Sequence, residues 1–150
     1  MNETLATLLE SLQHVDSNIR SRTVLQLGDL GDSDALDALL TSLRTEQNFF
    51  VREDITWVLV RMKDVALQPL IGLLQDPDPS TRHQAAHVLG KISDSEATTA
   101  LINALQDSDP VVVSKAAFSL GQLGASEAVR PLIGLLATNH RELQSTLVTV

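Results

Sequence analysis

A short apolar phrase returns through the sequence at a fixed interval. Pro69-Leu70-Ile71-Gly72-Leu73-Leu74 reappears as Pro131-Leu132-Ile133-Gly134-Leu135-Leu136, and Ala100-Leu101-Ile102-Asn103-Ala104-Leu105 stands in the same phase, midway between them. Ala38-Leu39-Leu40 continues the series backwards, and a looser copy begins near Leu5. A second marker follows in each period: an apolar residue and Arg, then a small-residue helix closing on Leu-Gly. It runs from Ile19-Arg20 to Leu27-Gly28, from Val51-Arg52 to Leu59-Val60, from Thr81-Arg82 to Leu89-Gly90, and from Val112-Val113 to Leu120-Gly121. The closing positions Gly28, Val60, Gly90 and Gly121 keep the interval of the apolar phrase to within one residue. A period of this length marks stacked supersecondary units, none of which buries its apolar face alone.

Each unit reads as two helices. In the third, Leu67, Leu70, Ile71 and Leu74 have helical spacing, which predicts a first helix over 65–75. Asp78 then caps a second helix and Pro79 takes its first position; Asp109 and Pro110 repeat that punctuation. Ser93 and Glu96 have capping-box spacing before the next unit. Gly28, Gly31, Gly121 and Gly124 suit helix ends, and Pro69 and Pro131 are expected near the end of a first turn. Aromatics are only 3% of the chain, so the core must be built from Leu, Val, Ile and Ala, which favours helices over sheets. The expectation is an all-α chain, an α-solenoid of about five two-helix repeats forming one domain. The repeats fall near 1–32, 33–63, 64–93, 94–124 and 125–150. A fifth second helix is expected from Asn139, with Leu143, Leu147, Val148 and Val150 on its stripe; its outer side lacks a polar cap, which suggests either self-association through the last repeat or an incomplete last repeat in a natural chain that continues past Val150.

Asp76-Pro77-Asp78-Pro79 with Arg82, Ala85-Ala86-His87-Val88-Leu89-Gly90, and Glu127-Ala128-Val129-Arg130-Pro131-Leu132 carry a resemblance that extends over nearly the whole chain. The sequence resembles HEAT repeats of the short type found in phycobilisome-lyase-like proteins. The resemblance implies a right-handed superhelical stack whose second helices line a concave face. It also implies a structural ladder of acid and Arg, with the acid preceding the Arg in each repeat: Asp76 with Arg82, Glu46 with Arg52. His14 before Arg20 and Val113 after Asp107 depart from it. It admits a second function, a bilin-lyase-like or chromophore-handling subunit.

Counted from the Arg slot, the concave positions hold repeated columns. Five residues on come Leu25, Trp57, His87 and Phe118; one on, Ser21, Glu53, His83 and Ser114; two on, Arg22, Asp54, Gln84 and Lys115; nine on, Asp29, Arg61, Lys91 and Gln122. Large aromatics anchor interfaces because they bury much area for few rotors. Trp57, His87 and Phe118 are therefore the expected anchors of a protein or peptide, with Glu53, Asp54, Arg61, His83, Lys91 and Lys115 setting specificity. A slip of one residue in phase sends Trp57 and Phe118 into the core instead. Of Phe49 and Phe50, one is expected to plug the gap between helices and the other to be exposed.

Other chemistry finds little support. There is no Cys, so disulfides, thiolate metal sites and Cys nucleophiles are excluded. His83 and His87, four apart on one helix, have ligand spacing, with Glu53 as a conceivable third donor, but two His alone are a weak site. The repeated His-Glu pairs of the HEAT-repeat iron hydroxylase, deoxyhypusine hydroxylase, are absent. No phosphate loop or nucleophile motif occurs. The expectation is a non-enzyme with no cofactor and no metal. Net charge is −8, which repels a phosphate backbone, so nucleic acid is not expected. No apolar run reaches bilayer length and no signal peptide is visible, so neither a membrane nor secretion is expected and the cytoplasm is the assigned compartment.

Overall fold

The computed structural model describes residues 3–137, and these form nine α-helices and two 3-10 turns with no strand among them. The helices are α1 (Glu3–Ser11), α2 (Ser17–Leu30), α3 (Ser33–Thr45), α4 (Phe49–Arg61), α5 (Lys63–Leu73), α6 (Pro79–Ile92), α7 (Thr98–Ala104), α8 (Pro110–Leu123) and α9 (Val129–Leu136). The 3-10 turns, Ser95–Ala97 and Ser126–Ala128, lead into α7 and α9. The expected fifth second helix, with Leu143, Leu147, Val148 and Val150, lies outside the described residues.

The chain divides into two compact units, Met1–Ala66 and Leu67–Val150. In the first, α2 packs chiefly on α4, with α1 against α2 and α3 against both. In the second, α6 packs chiefly on α8, and α7 covers α8. Aliphatic side chains fill both interiors: Val24, Leu27, Leu39, Ile55 and Leu59 in one, Leu70, Val88, Leu89, Leu101 and Leu120 in the other, all buried.

Local sequence explains the boundaries of the second helices. Asp16, Asn48, Asp78 and Asp109 occupy the same repeat position, and each side chain accepts a hydrogen bond from a first-turn N–H of α2, α4, α6 or α8. A cap of this kind stabilises a helix by about 1 kcal/mol. Gly31 and Gly124 end α2 and α8 in the left-handed conformation, at φ 64° and 63°. Ser93 ends α6 in that same conformation, at φ 55°, so it is a C-cap rather than the first member of a capping box. Asp94 caps the following turn by accepting from the Glu96 N–H.

Two of the glycines read as helix ends lie inside helices. Gly28 and Gly121 belong to α2 and α8. Gly28 is there for close approach: a Cβ would stand 2.7 Å from a methyl of Val58 on α4. Gly90 does the same in the second unit, where a Cβ would meet the Ser119 Cβ at 2.8 Å. The Ser119 Oγ donates to the Ala86 carbonyl at 2.7 Å, which ties α8 to α6 at that close approach. Pro131 is the third residue of α9, as expected, but Pro69 is inside α5. Only Met62 separates α4 from α5, so the turn that precedes α7 and α9 is absorbed into the start of α5. The helix then begins and ends two residues earlier than the periodicity predicts.

The acid–Arg ladder is real, with different partners. Arg20 makes a bidentate pair with Glu46 (2.8 and 2.9 Å), and Arg82 makes one with Asp107 (2.8 and 2.9 Å). Each Arg reaches the acid of the following repeat. To its own repeat it donates through Nη1 to the backbone carbonyls of the turn, His14 and Val15 for Arg20, Asp76 and Pro77 for Arg82. The acid also accepts a backbone N–H: Glu46 from Asn48 and Asp107 from Asp109. This explains both departures. The slot at His14 serves no earlier Arg, and Asp107 is retained for Arg82 although position 113 is Val. The paired side chains are 8–18% exposed. The Arg20 hydrogen bonds hold the Glu46 carboxyl below its ordinary value, against the opposing effect of burial. Burial pushes Asp107 up, but the Arg82 hydrogen bonds, its charge and the Asp109 N–H outweigh it and leave that carboxyl low.

Candidate functional site

The second helices of the repeats bury one side in Leu, Val and Ala. Their opposite side carries the residues singled out from sequence. On α4, Val51, Ile55, Val58 and Leu59 are buried, which turns Phe50, Glu53, Asp54, Trp57 and Arg61 outward. On α6, Ala85, Ala86, Val88 and Leu89 are buried, leaving His83 and His87 half-buried and Lys91 exposed.

The aromatic side chains take no part in the core. Phe49 is 60% exposed, Phe50 75%, Trp57 65% and Phe118 42%. These four are all the aromatics in the sequence. The tucked position expected for one of Phe49 and Phe50 is not found. Asn48 caps α4 immediately before them, so they form the exposed start of the first turn and Val51 takes the core position. Their rings meet edge to face at 5.6 Å.

Polar contacts fix the surrounding surface. In the first unit the Ser21 hydroxyl donates to Asp54, joining α2 to α4, and Arg61 pairs with Asp29 at 3.1 Å in full view of solvent. Leu25 on α2, at the repeat position of Trp57, is exposed. In the second unit the Lys115 Nζ lies 5.3 Å from the centre of the Phe118 ring, within cation–π range. His87 and Phe118 flank the Ala86–Ser119 hydrogen bond, one residue to either side, so α6 and α8 present them at neighbouring positions.

Among the described residues no group of three or more His, Asp or Glu is placed to hold a metal ion. Open depressions of about 280 and 380 Å³ lie over the two ladder pairs, and one of about 370 Å³ lies between α1 and α3; none of the nine expected contact residues lines them. No described helix is long and apolar enough to cross a membrane. Sequence reasoning missed Phe50 as a surface partner of Trp57, although their heptad separation on one helix was the available signal.

The sequence matches the HEAT-repeat family over residues 1–60 and 66–149. The chain belongs to that family. The fold class is the all-α solenoid, and that architecture is what its structural likenesses share. One is the structure of the complex of CpcE and CpcF of phycocyanin lyase from Nostoc sp. PCC7120, at TM-score 0.61 and 24% identity. The match covers 98% of this HEAT-repeat chain and 63% of that one. Computationally designed armadillo repeat proteins for modular peptide recognition match at TM-score 0.52 and 15% identity, over 93% of this chain and 77% of theirs. A designed armadillo repeat protein in complex with the peptide (KR)4 matches at TM-score 0.52 and 16% identity, with the same coverage. No curated protein matches significantly.

Proposed function

We propose that this HEAT-repeat chain is an interaction scaffold that grips a protein or peptide on the surface carried by the second helix of each repeat. The carrying observation is that a chain with four aromatic residues exposes all four. Leaving their exposed faces in water forgoes part of the roughly 1.5–3 kcal/mol that full burial of such a side chain contributes, a cost that contact with a partner removes. Trp57, His87 and Phe118 are the anchors. Glu53, Asp54, Arg61, His83, Lys91 and Lys115 supply the polar rim that orders partners by charge. The solved likenesses give the reading a precedent, since the armadillo proteins were designed for modular peptide recognition and the CpcE and CpcF structure is that of a complex. A single repeat domain, a cytoplasmic setting and self-association through the last repeat belong to the same reading.

The test is affinity capture with the wild type beside a Trp57→Ala/Phe118→Ala variant of unchanged helicity. A defined partner retained by the wild type and weakened at least ~30-fold by the variant is expected if these are anchor residues. Equal retention by a folded variant overturns the assignment. A second reading, a chromophore-handling subunit, rests on the likeness to the phycocyanin lyase structure. Visible absorbance that co-purifies with the wild type and is lost from the variant favours it.

A further inference from the structure

Helix α4 carries three of the four aromatics, and two of them share one line. Phe50 and Trp57 are a heptad apart, which is nearly two full turns. That sets them about 10.5 Å apart along the axis and within ~20° of the same direction. Glu53 and Asp54 fall between them, three and four residues from either end. The outward stripe of α4 therefore runs aromatic, two carboxylates, aromatic. The Ser21 hydroxyl holds Asp54 at the α2–α4 seam, and a carboxylate has capacity for several donors at once. Exposed Leu25 widens the apolar floor on the α2 side. The residues 1–66 hold eleven Asp and Glu against six Lys and Arg, a net of −5, so the field around this stripe favours a cation.

We propose that this stripe docks a basic amphipathic helix of a partner protein. The helix carries two large aliphatic residues a heptad apart, with Lys or Arg three and four positions after the first. Two helices share the same rise, so aliphatic residues with that spacing meet Phe50 and Trp57 while the basic pair meets Glu53 and Asp54. The pattern reads the same from either end, so both directions of docking satisfy it. An extended strand fits worse, because its same-face side chains recur every ~7 Å, an interval that does not divide the two-turn separation of the rings. The inference rests on the interaction-scaffold reading and narrows it to one partner chemistry in one unit.

Trp57 is the only Trp and there is no Tyr, so intrinsic fluorescence reports on the stripe directly. The probe is a soluble Ala/Gln-based helical peptide with Leu at two positions a heptad apart and Lys at the third and fourth positions after the first Leu. Its control has both Lys replaced by Glu. The Lys peptide should shift Trp57 emission to the blue with saturation, and the Glu peptide should bind at least about tenfold more weakly. Glu53→Gln/Asp54→Asn, which preserves shape and the Asp54 acceptor, should cost the Lys peptide at least about fivefold while circular dichroism stays unchanged. Equal affinity for the two peptides, or an undiminished double variant, overturns the basic-helix assignment but leaves a peptide-binding surface standing. No change in emission with either peptide also overturns it, and the capture experiment then decides separately whether the scaffold reading survives.

Discussion

Gly28 and Gly90 are small because a neighbouring helix stands where a side chain would be. A methyl at Gly28 would press on a β-branched Val58, whose rotamer cannot move far. Gly28→Ala should therefore cost about 1–3 kcal/mol in urea unfolding, as overpacked cores do. Gly134 has open space at the corresponding atom, and Gly134→Ala should instead gain up to about 1 kcal/mol through helix propensity. If both substitutions proved neutral, close approach would not be the reason for Gly28. Ser93 gives the converse case. It holds a left-handed conformation that glycine adopts freely, so Ser93→Gly should stabilise by about 1 kcal/mol. The ladder pairs add a pH dependence. Glu46 and Asp107 are held below their ordinary values when folded. Their contribution is thus fully present above the unfolded carboxylate values, 4.5 and 3.8, and is lost as pH falls through the lower folded ones. Arg82→Met should cost about 2–4 kcal/mol at neutral pH, since it leaves a largely buried carboxylate unpaired. It should also flatten the acid limb of the stability profile, which unfolding midpoints measured between neutral pH and pH 3 would show.

At the scale of the helix, what the sequence made legible was periodic and what it hid was local. The capping acids Asp78 and Asp109 and the buried run Ala85, Ala86, Val88 and Leu89 follow from spacing alone, because the helical period and a cap are properties of a single helix. The ladder was legible as a composition and misread as geometry. Spacing within one repeat cannot reveal that Arg82 reaches forward to Asp107, since that reach depends on how one turn stands over the next. The same limit hid the purpose of Gly28. For Trp57 and Phe118 a one-residue shift in phase separates surface from core, and their exposure is settled only by which neighbours bury Val58 and Ala117. The alignment of Phe50 with Trp57 was missed because a turn was expected where α4 already begins. One prediction follows for this element. Trp57→Ala should change stability by no more than about 0.5 kcal/mol, because the ring is mostly in solvent. A loss of several kcal/mol would return Trp57 to the core and remove the basis for reading α4 as a contact surface.

For the molecule as a whole, repetition leaves apolar sides that no single repeat buries alone. In a repeat array neighbouring repeats cover each other's apolar sides, as α2 and α4 do in the first unit and α6 and α8 in the second. Helix α9 carries such an apolar side. Leu135 is buried, while Val129, Ile133 and Leu136 are exposed at positions that bring them to one stripe. Such a stripe, with the net charge of −8 spread elsewhere on the chain, is suited to meet its own copy about a two-fold axis, where the same patch serves both partners. If it does, sedimentation velocity should show a dimer whose population grows with concentration, and Ile133→Glu should leave a folded monomer by placing two carboxylates against each other at the contact. The charge at that position makes the test directional: Ile133→Ala should weaken the dimer less than Ile133→Glu, because truncation loses area whereas the acid adds repulsion and an unpaired buried charge. A wild-type chain that stays monomeric at high concentration would place the stripe against something other than its own copy, and the exposed aromatics of α4 and α8 would then be the surfaces on which association depends.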